Sequence, residues 1–309
     1  MKIAFLGTPD FALPSLKMLM DEKHSLLVFT QPDKPQGRHA RLTPPPVKSF
    51  ALEHGIAVCQ PEKIKSEEGL LKLREFAPDL MVTAAFGQIL SEENLLVPRH
   101  GCINVHGSLL PKYRGAAPIQ WAVINGEKVT GITTMMTDVG LDTGDILLQS
   151  EIEILPDETA GELYNKMAAL GADVLKKTIE LLEQGKLTRT PQDHKLATKC
   201  GMLKKETGKI DFSLEAKSIH NLVRGVNPWP GAYALLDDAP IKIWRTRITQ
   251  NPLPPQSQPG LLFGNPKTGL FACCADGALE ILELQFQGGK RMEATAALRG
   301  RPLEGRVLK

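Results

Sequence analysis

The first hydrophobic run of the chain is Ile3-Ala4-Phe5-Leu6, bounded by Lys2 and Gly7. A short apolar run closed by a glycine predicts a buried strand over residues 2–6. Leu13, Leu16, Leu19 and Met20 then recur at three- and four-residue intervals, the period of an amphipathic helix. A second apolar run follows at 26–30, and two more at 56–59 and 80–84, with a helical pattern over 67–76 between them. Residues 102–106 read as another buried strand, 118 to about 124 as a helix, and 129–137 alternates with the period of two that a strand requires. Asp157 or Thr159 can cap a long amphipathic helix that ends near Gly185. Strands alternating with helices predict an α/β fold: a Rossmann-like, doubly wound, mainly parallel sheet.

From Ile210 the pattern changes to short apolar runs broken by turn residues every ten or so positions, which predicts a small C-terminal OB-like β-barrel. The polar stretch between the two patterns reads as a connection. The expected organisation is an N-terminal domain over 1–189, a linker over 190–208 and a barrel domain over 209–309.

One strand ends in chemistry. Asn104 and His106 are two apart on residues 102–106, so they project from one face, and Gly107 and Pro111 end the strand in a loop. An amide beside an imidazole can stabilise an oxyanion and move a proton. Taken alone, Asn and His near strand ends more often satisfy local backbone groups. Residues 31–48 hold five prolines and Lys34, Arg38, His39, Arg41 and Lys48 against one acid, Asp33. That composition predicts a long irregular loop suited to phosphate contacts, or simply a solvated one.

Composition narrows the classes. With 309 residues, 42% hydrophobic and 23% charged, the chain is an ordinary globular protein with length for two domains. No apolar run approaches membrane-spanning length, and the opening residues read as a strand and not as a signal peptide. The five cysteines include no Cys-x-x-Cys, which argues against zinc and a disulfide framework and for a reducing cytoplasm. Gly7 leads into Thr8-Pro9-Asp10, so the dinucleotide fingerprint is absent, and the acids of 138–145 lack calcium-loop spacing. Net charge is +2, yet residues 191–309 alone hold 17 Lys+Arg against 11 Asp+Glu, a mild bias toward a polyanionic partner.

Asn104-x-His106, the turn Ser108-Leu109-Leu110-Pro111 and Asp142 in Gly-Leu-Asp-Thr-Gly resemble the formyltetrahydrofolate-dependent formyltransferases. Gly7-Thr8-Pro9-Asp10-Phe11, Gln31-Pro32-Asp33, Arg114-Gly115-Ala116-Ala117-Pro118-Ile119-Gln120 and Asn227-Pro228-Trp229-Pro230 extend the resemblance over nearly the whole chain. It implies a catalytic N-terminal domain, a tRNA-binding barrel, and formyl transfer from 10-formyltetrahydrofolate to the α-amine of initiator methionyl-tRNA. Asn104 and protonated His106 would hold the tetrahedral oxyanion, and Asp142 would favour the imidazolium and relay a proton. Folate would lie against Phe86, Gln88, Ile89, Leu90 and Val139, with Ser108, Leu109, Leu110 and Pro111 lining the same cleft. Arg38, with Lys34 and Arg41, would meet the tRNA acceptor end, although the run Gly37–Arg41 is less basic than the resemblance implies. No metal, no membrane partner and a monomer are expected. Three alternatives stay open: a small-amine acceptor such as glycinamide ribonucleotide or an amino sugar nucleotide, a non-catalytic tRNA-binding protein, and a formylfolate hydrolase.

Overall fold

The computed structural model describes residues 1–36, 41–255 and 257–309. The chain divides into two compact units, and each draws on more than one stretch of sequence. The first unit comprises Met1–Gly115, Thr130–Ile152 and Tyr164–Lys199.

Its centre is a seven-stranded sheet: β1 (Lys2–Gly7), β2 (Ser25–Phe29), β3 (Ala57–Cys59), β4 (Leu80–Ala84), β5 (Cys102–His106), β6 (Val129–Met136) and β7 (Ile146–Glu153). The spatial order is β3-β2-β1-β4-β5-β6-β7. β1 pairs parallel with β2 and β4, β2 with β3, and β4 with β5, while β6 runs antiparallel to β5. This is the doubly wound order, mainly parallel, with the winding reversing between β1 and β4. Ile3 to Leu6 and all of β4 are buried, as strands covered on both faces must be. β7, whose polar residues dilute its apolar alternation, carries no strong strand signal in sequence and lies at the sheet edge.

The described parts of residues 31–48 hold regular structure that their composition does not announce. Lys34–Gln36 pairs antiparallel with Arg41–Thr43, and a helix runs from Pro46 to Glu53. Proline at a helix start needs no amide partner, so the Pro-rich stretch that looks irregular pre-sets a helical first turn. The long helix Ala160–Glu183 starts behind Thr159, whose hydroxyl accepts from Glu162 N at 3.2 Å while Glu162 accepts from Thr159 N at 2.9 Å. That reciprocal pair is a capping box.

The second unit comprises Ala116–Val129, Glu153–Leu163 and Cys200–Lys309. Its strands are β8 (Ala232–Leu236), β9 (Ala239–Ile248), β10 (Leu262–Asn265), β11 (Gly269–Cys273), β12 (Ala278–Phe286) and β13 (Met292–Glu293). They run β8-β9-β12-β11-β10, with β13 on β12. Residues 306–309 join the two outer strands. Leu235 and Lys309 exchange backbone hydrogen bonds of 2.7 and 2.9 Å on one side; Leu262 N donates to Arg306 O at 2.7 Å and Leu308 N to Gly260 O at 2.8 Å on the other. The tail thereby closes the sheet into a barrel and leaves no open edge there. Ile219 and Val223 of the helix Ala216–Gly225 insert into the barrel core beside Ile243, Leu279 and Leu284. Among the described residues no helix is long and apolar enough to cross a membrane.

Candidate active site

The C-terminal ends of β1, β4 and β5 carry the polar groups of interest, where open α/β sheets bind ligands. Asn104 and His106 share a face of β5. Asn104 Oδ1 accepts from Thr83 Oγ1 of β4 at 2.8 Å, and its Nδ2 has no partner among the described residues. Thr83 thus fixes the amide with its donor end free.

His106 is 5% exposed, and its Nε2 lies 3.0 Å from Tyr113 O. A carbonyl only accepts, so Nε2 carries the proton and the other nitrogen, Nδ1, is the one left for chemistry. Nδ1 faces Asp142 Oδ2 at 3.7 Å. Asp142 comes from the loop after β6, and its Oδ2 also accepts from Gly115 N at 2.8 Å. Asp142 sits in the left-handed region, φ 53°. Non-glycine residues adopt that conformation at a cost, so its surroundings must hold it.

Gln192 does so. Its Nε2 donates to the backbone carbonyls of Asp142 at 2.9 Å and Gly144 at 2.7 Å. Its Oε1 accepts from Arg114 Nε at 3.1 Å and Nη2 at 2.7 Å, and both side chains are buried. Gly144 has no room for a side chain, because a Cβ would stand 1.9 Å from Met136 O. Gln192 and Tyr113 went unflagged in sequence; Thr83 sits in the predicted 80–84 strand with no local mark of its contact. A glutamine in a polar stretch has no local signature, and its partners lie 48 to 78 residues away.

The turn after β5 is rigid. Ser108 Oγ donates to Lys112 O at 2.7 Å, Thr133 Oγ1 donates to Ser108 O at 2.6 Å, and Gln149 Nε2 donates to Leu110 O at 2.9 Å. Ser108 and Leu110 are buried, while Leu109 and Pro111 are half-buried. The Cys102 thiol at the start of the strand is pushed up to about 12 by burial, which removes it as a nucleophile.

After β4, residues 85–91 leave regular structure, so their amides and carbonyls stand outside any ladder. Phe86 and Leu90 are buried. Gln88 Oε1 accepts from Ile64 N at 2.7 Å and Nε2 donates to Glu62 O at 3.3 Å, so this side chain serves its own neighbours and only its backbone is available to a ligand. Ile89 and Val139 are 79% and 72% exposed. Lys34 and Arg41 are exposed on the short hairpin, with Lys34 Nζ donating to Gln31 Oε1; Arg38 lies outside the described residues.

Family models named formyl transferase and formyl transferase, C-terminal domain, match residues 1–179 and 202–302. Both halves therefore define the chain as a formyltransferase in class. Methionyl-tRNA formyltransferase of Ruminiclostridium cellulolyticum is 53% identical over 305 residues, covering 98% of each chain. That of Geotalea daltonii is 48% identical over 301 residues, covering 97% and 95%. The chain belongs to the formyltransferase family, in the group that holds these methionyl-tRNA formyltransferases. Its fold matches an N-formyltransferase from Helicobacter canadensis in complex with folinic acid and dTDP-3-aminofucose, at TM-score 0.68 and 18% identity, over 94% of this chain and 100% of that one. It also matches HypX from Aquifex aeolicus in complex with tetrahydrofolic acid, at TM-score 0.65 and 15% identity, over 96% of this chain and 47% of that one.

Proposed function

We propose that the protein transfers the formyl group of 10-formyltetrahydrofolate to the α-amine of methionine on initiator methionyl-tRNA. The observation that carries this reading is the placement of Asn104 Nδ2, His106 Nδ1 and the Asp142 carboxylate about one strand end, with His106 Nδ1 3.7 Å from Asp142. The full-length likeness to methionyl-tRNA formyltransferases selects the acceptor.

The residues supply the steps. The neutral methionyl amine attacks, and Asp142, directly or through a water, takes the one proton its nitrogen loses on bonding to the formyl carbon. As the amine nitrogen bonds to the formyl carbon, the formyl oxygen gains negative charge. Asn104 Nδ2 and, when it carries a proton, His106 Nδ1 donate to it. When the carbon–nitrogen bond to the donor breaks, the departing nitrogen regains a proton through the same His106–Asp142 pair. No acyl-enzyme is needed, because the amine is itself a competent nucleophile. The backbone of residues 86–90 and the exposed apolar side chains Ile89 and Val139 fit a flat heteroaromatic donor. The exposed Lys34 and Arg41, together with Arg38, suit an RNA end.

His106→Ala and Asp142→Ala should each lower turnover at least a hundredfold, an order-of-magnitude expectation for losing a transition-state donor or proton carrier. Methionyl-tRNA affinity, measured by filter binding, should stay near that of the unaltered protein. Near-normal turnover in either variant would remove the site.

A further inference from the structure

Two loops of the first unit converge on one backbone atom of a third, the carbonyl oxygen of Phe86. Thr8 Oγ1, on the turn after β1, donates to it at 2.9 Å, and Gln31 Nε2, after β2, donates at 3.0 Å. A carbonyl oxygen has two lone pairs, so both are engaged and the start of the 86–90 backbone is pinned. Gly87 adopts φ 77°, and a Cβ there would stand 2.5 Å from Gln31 Nε2. Glycine at this position is what allows the amide to reach Phe86.

Gln31 is bound in the other direction as well. Its Oε1 accepts from Lys34 Nζ at 2.6 Å, at the foot of the hairpin formed by Lys34–Gln36 and Arg41–Thr43. Its backbone carbonyl accepts from Gln60 Nε2 at 2.9 Å, which also donates to Asp33 Oδ1 at 2.8 Å. Lys48 Nζ donates to both Asp33 oxygens at 2.8 Å. The hydrogen bond from Gln60, and then that from Lys48, hold the Asp33 carboxyl below its ordinary range, so it stays ionised and the base of the hairpin is fixed. One side chain thus joins the basic hairpin to the loop after β4.

We propose that Gln31 couples the two substrate loops: tRNA bound on the hairpin fixes, through the Gln31 amide, the 86–90 backbone in its folate-binding form. The inference rests on the functional reading above, which assigns those loops to tRNA and folate. Coupling of this kind is reciprocal, so folate equally favours the tRNA-binding arrangement of the hairpin. Gln31 is a positioning residue and touches neither reacting atom.

The test measures binding of 5-formyltetrahydrofolate, a ligand that does not react, with and without saturating deacylated initiator tRNA. The unaltered protein should bind the folate about fivefold or more tightly when tRNA is present, the lower end of typical couplings. Gln31→Glu keeps an acceptor for Lys34 but has no N–H for Phe86 O, and should bring the ratio close to one at a near-normal melting temperature. Gln31→Leu, which breaks both links, should do the same. Thr8→Val removes the other donor and should weaken folate binding alike in both conditions, leaving the ratio intact. A ratio of one in the unaltered protein, or a preserved ratio in Gln31→Glu, overturns the coupling. Formyl transfer to methionyl-tRNA on the same preparation reports separately on the functional reading. Transfer with a ratio of one sinks the coupling alone, whereas absent transfer sinks both.

Discussion

Gln192 ties the loop of the proposed site's carboxylate to a buried arginine. Its amide spends both N–H bonds on the loop that presents Asp142, and its oxygen on the buried guanidinium of Arg114. Without it, Asp142 loses a clamp on a backbone conformation that is costly on its own. Gln192→Ala should therefore lower kcat by on the order of tenfold to a hundredfold, the scale of a displacement near one ångström, with smaller changes in KM. Gln192→Glu keeps the acceptor for Arg114 but lacks the donors, and should behave like the alanine variant in steady-state assays. If the glutamate variant matches the unaltered protein, the amide does not hold the loop. The pairing of His106 with Asp142 illustrates the complementary case. Sequence spacing could place Asn104 and His106 on one face, but Asp142, 36 residues further on, was reachable only through family resemblance. Only coordinates assign the working nitrogen of His106, because that depends on the Tyr113 carbonyl.

At the scale of elements, the alternation of apolar runs made the first unit legible through β6, because strands buried on both faces and capped helices leave strong local patterns. Legibility failed where local signals compete. Pro35 and the flanking polar residues obscured the Lys34–Gln36 strand. The helix Ala216–Gly225 has Ala216, Ile219 and Val223 at helical spacing, yet it lies in a region dominated by strand and turn signals. The residues that close the barrel were invisible, because pairing across 44 to 74 positions leaves no periodicity. Leu308 is 3% exposed on that closing segment, and Leu308→Ala should destabilise the barrel by about 2–5 kcal/mol, the usual cost of such a cavity. Denaturant titration followed by tryptophan fluorescence would read it, and a negligible loss would mean the tail does not close the barrel in solution.

The Ala216–Gly225 helix also carries a pH dependence. Its His220 is held below the ordinary histidine value chiefly by burial, with the neighbouring Arg224 pushing the same way and the Pro156 carbonyl and Asp157 opposing. The neutral ring is satisfied, with Nε2 3.2 Å from Pro156 O and Nδ1 3.0 Å from Thr246 Oγ1. Above about pH 6.5 the ring is neutral in the folded and unfolded chain, and this stability is fully present. As pH falls below that value the unfolded chain binds a proton that the folded unit refuses. Stability is then lost, by up to about 1.4 kcal/mol per pH unit, until the folded ring also protonates. His220→Gln should flatten melting temperature against pH between 6.5 and 5, and an unchanged slope would contradict the assignment.

For the whole molecule, the two units divide the sequence unevenly. Residues 116–129 and 153–163 fold with the barrel and not with the sheet that flanks them in sequence. The basic excess of residues 191–309 is nearly cancelled in the folded barrel unit, because residues 153–163 bring Glu153, Asp157, Glu158 and Glu162 into it, so net charge alone does not mark that unit for a polyanion; the proposed acyl chemistry belongs to the sheet-containing unit. The most direct measurement is the fate of a radiolabelled formyl group supplied on 10-formyltetrahydrofolate, with initiator methionyl-tRNA, glycinamide ribonucleotide and an amino sugar nucleotide offered in parallel. The label should pass to methionyl-tRNA, in a reaction that His106→Ala abolishes. Label passing only to a small amine, or released as formate whether or not an acceptor is present, would contradict the account.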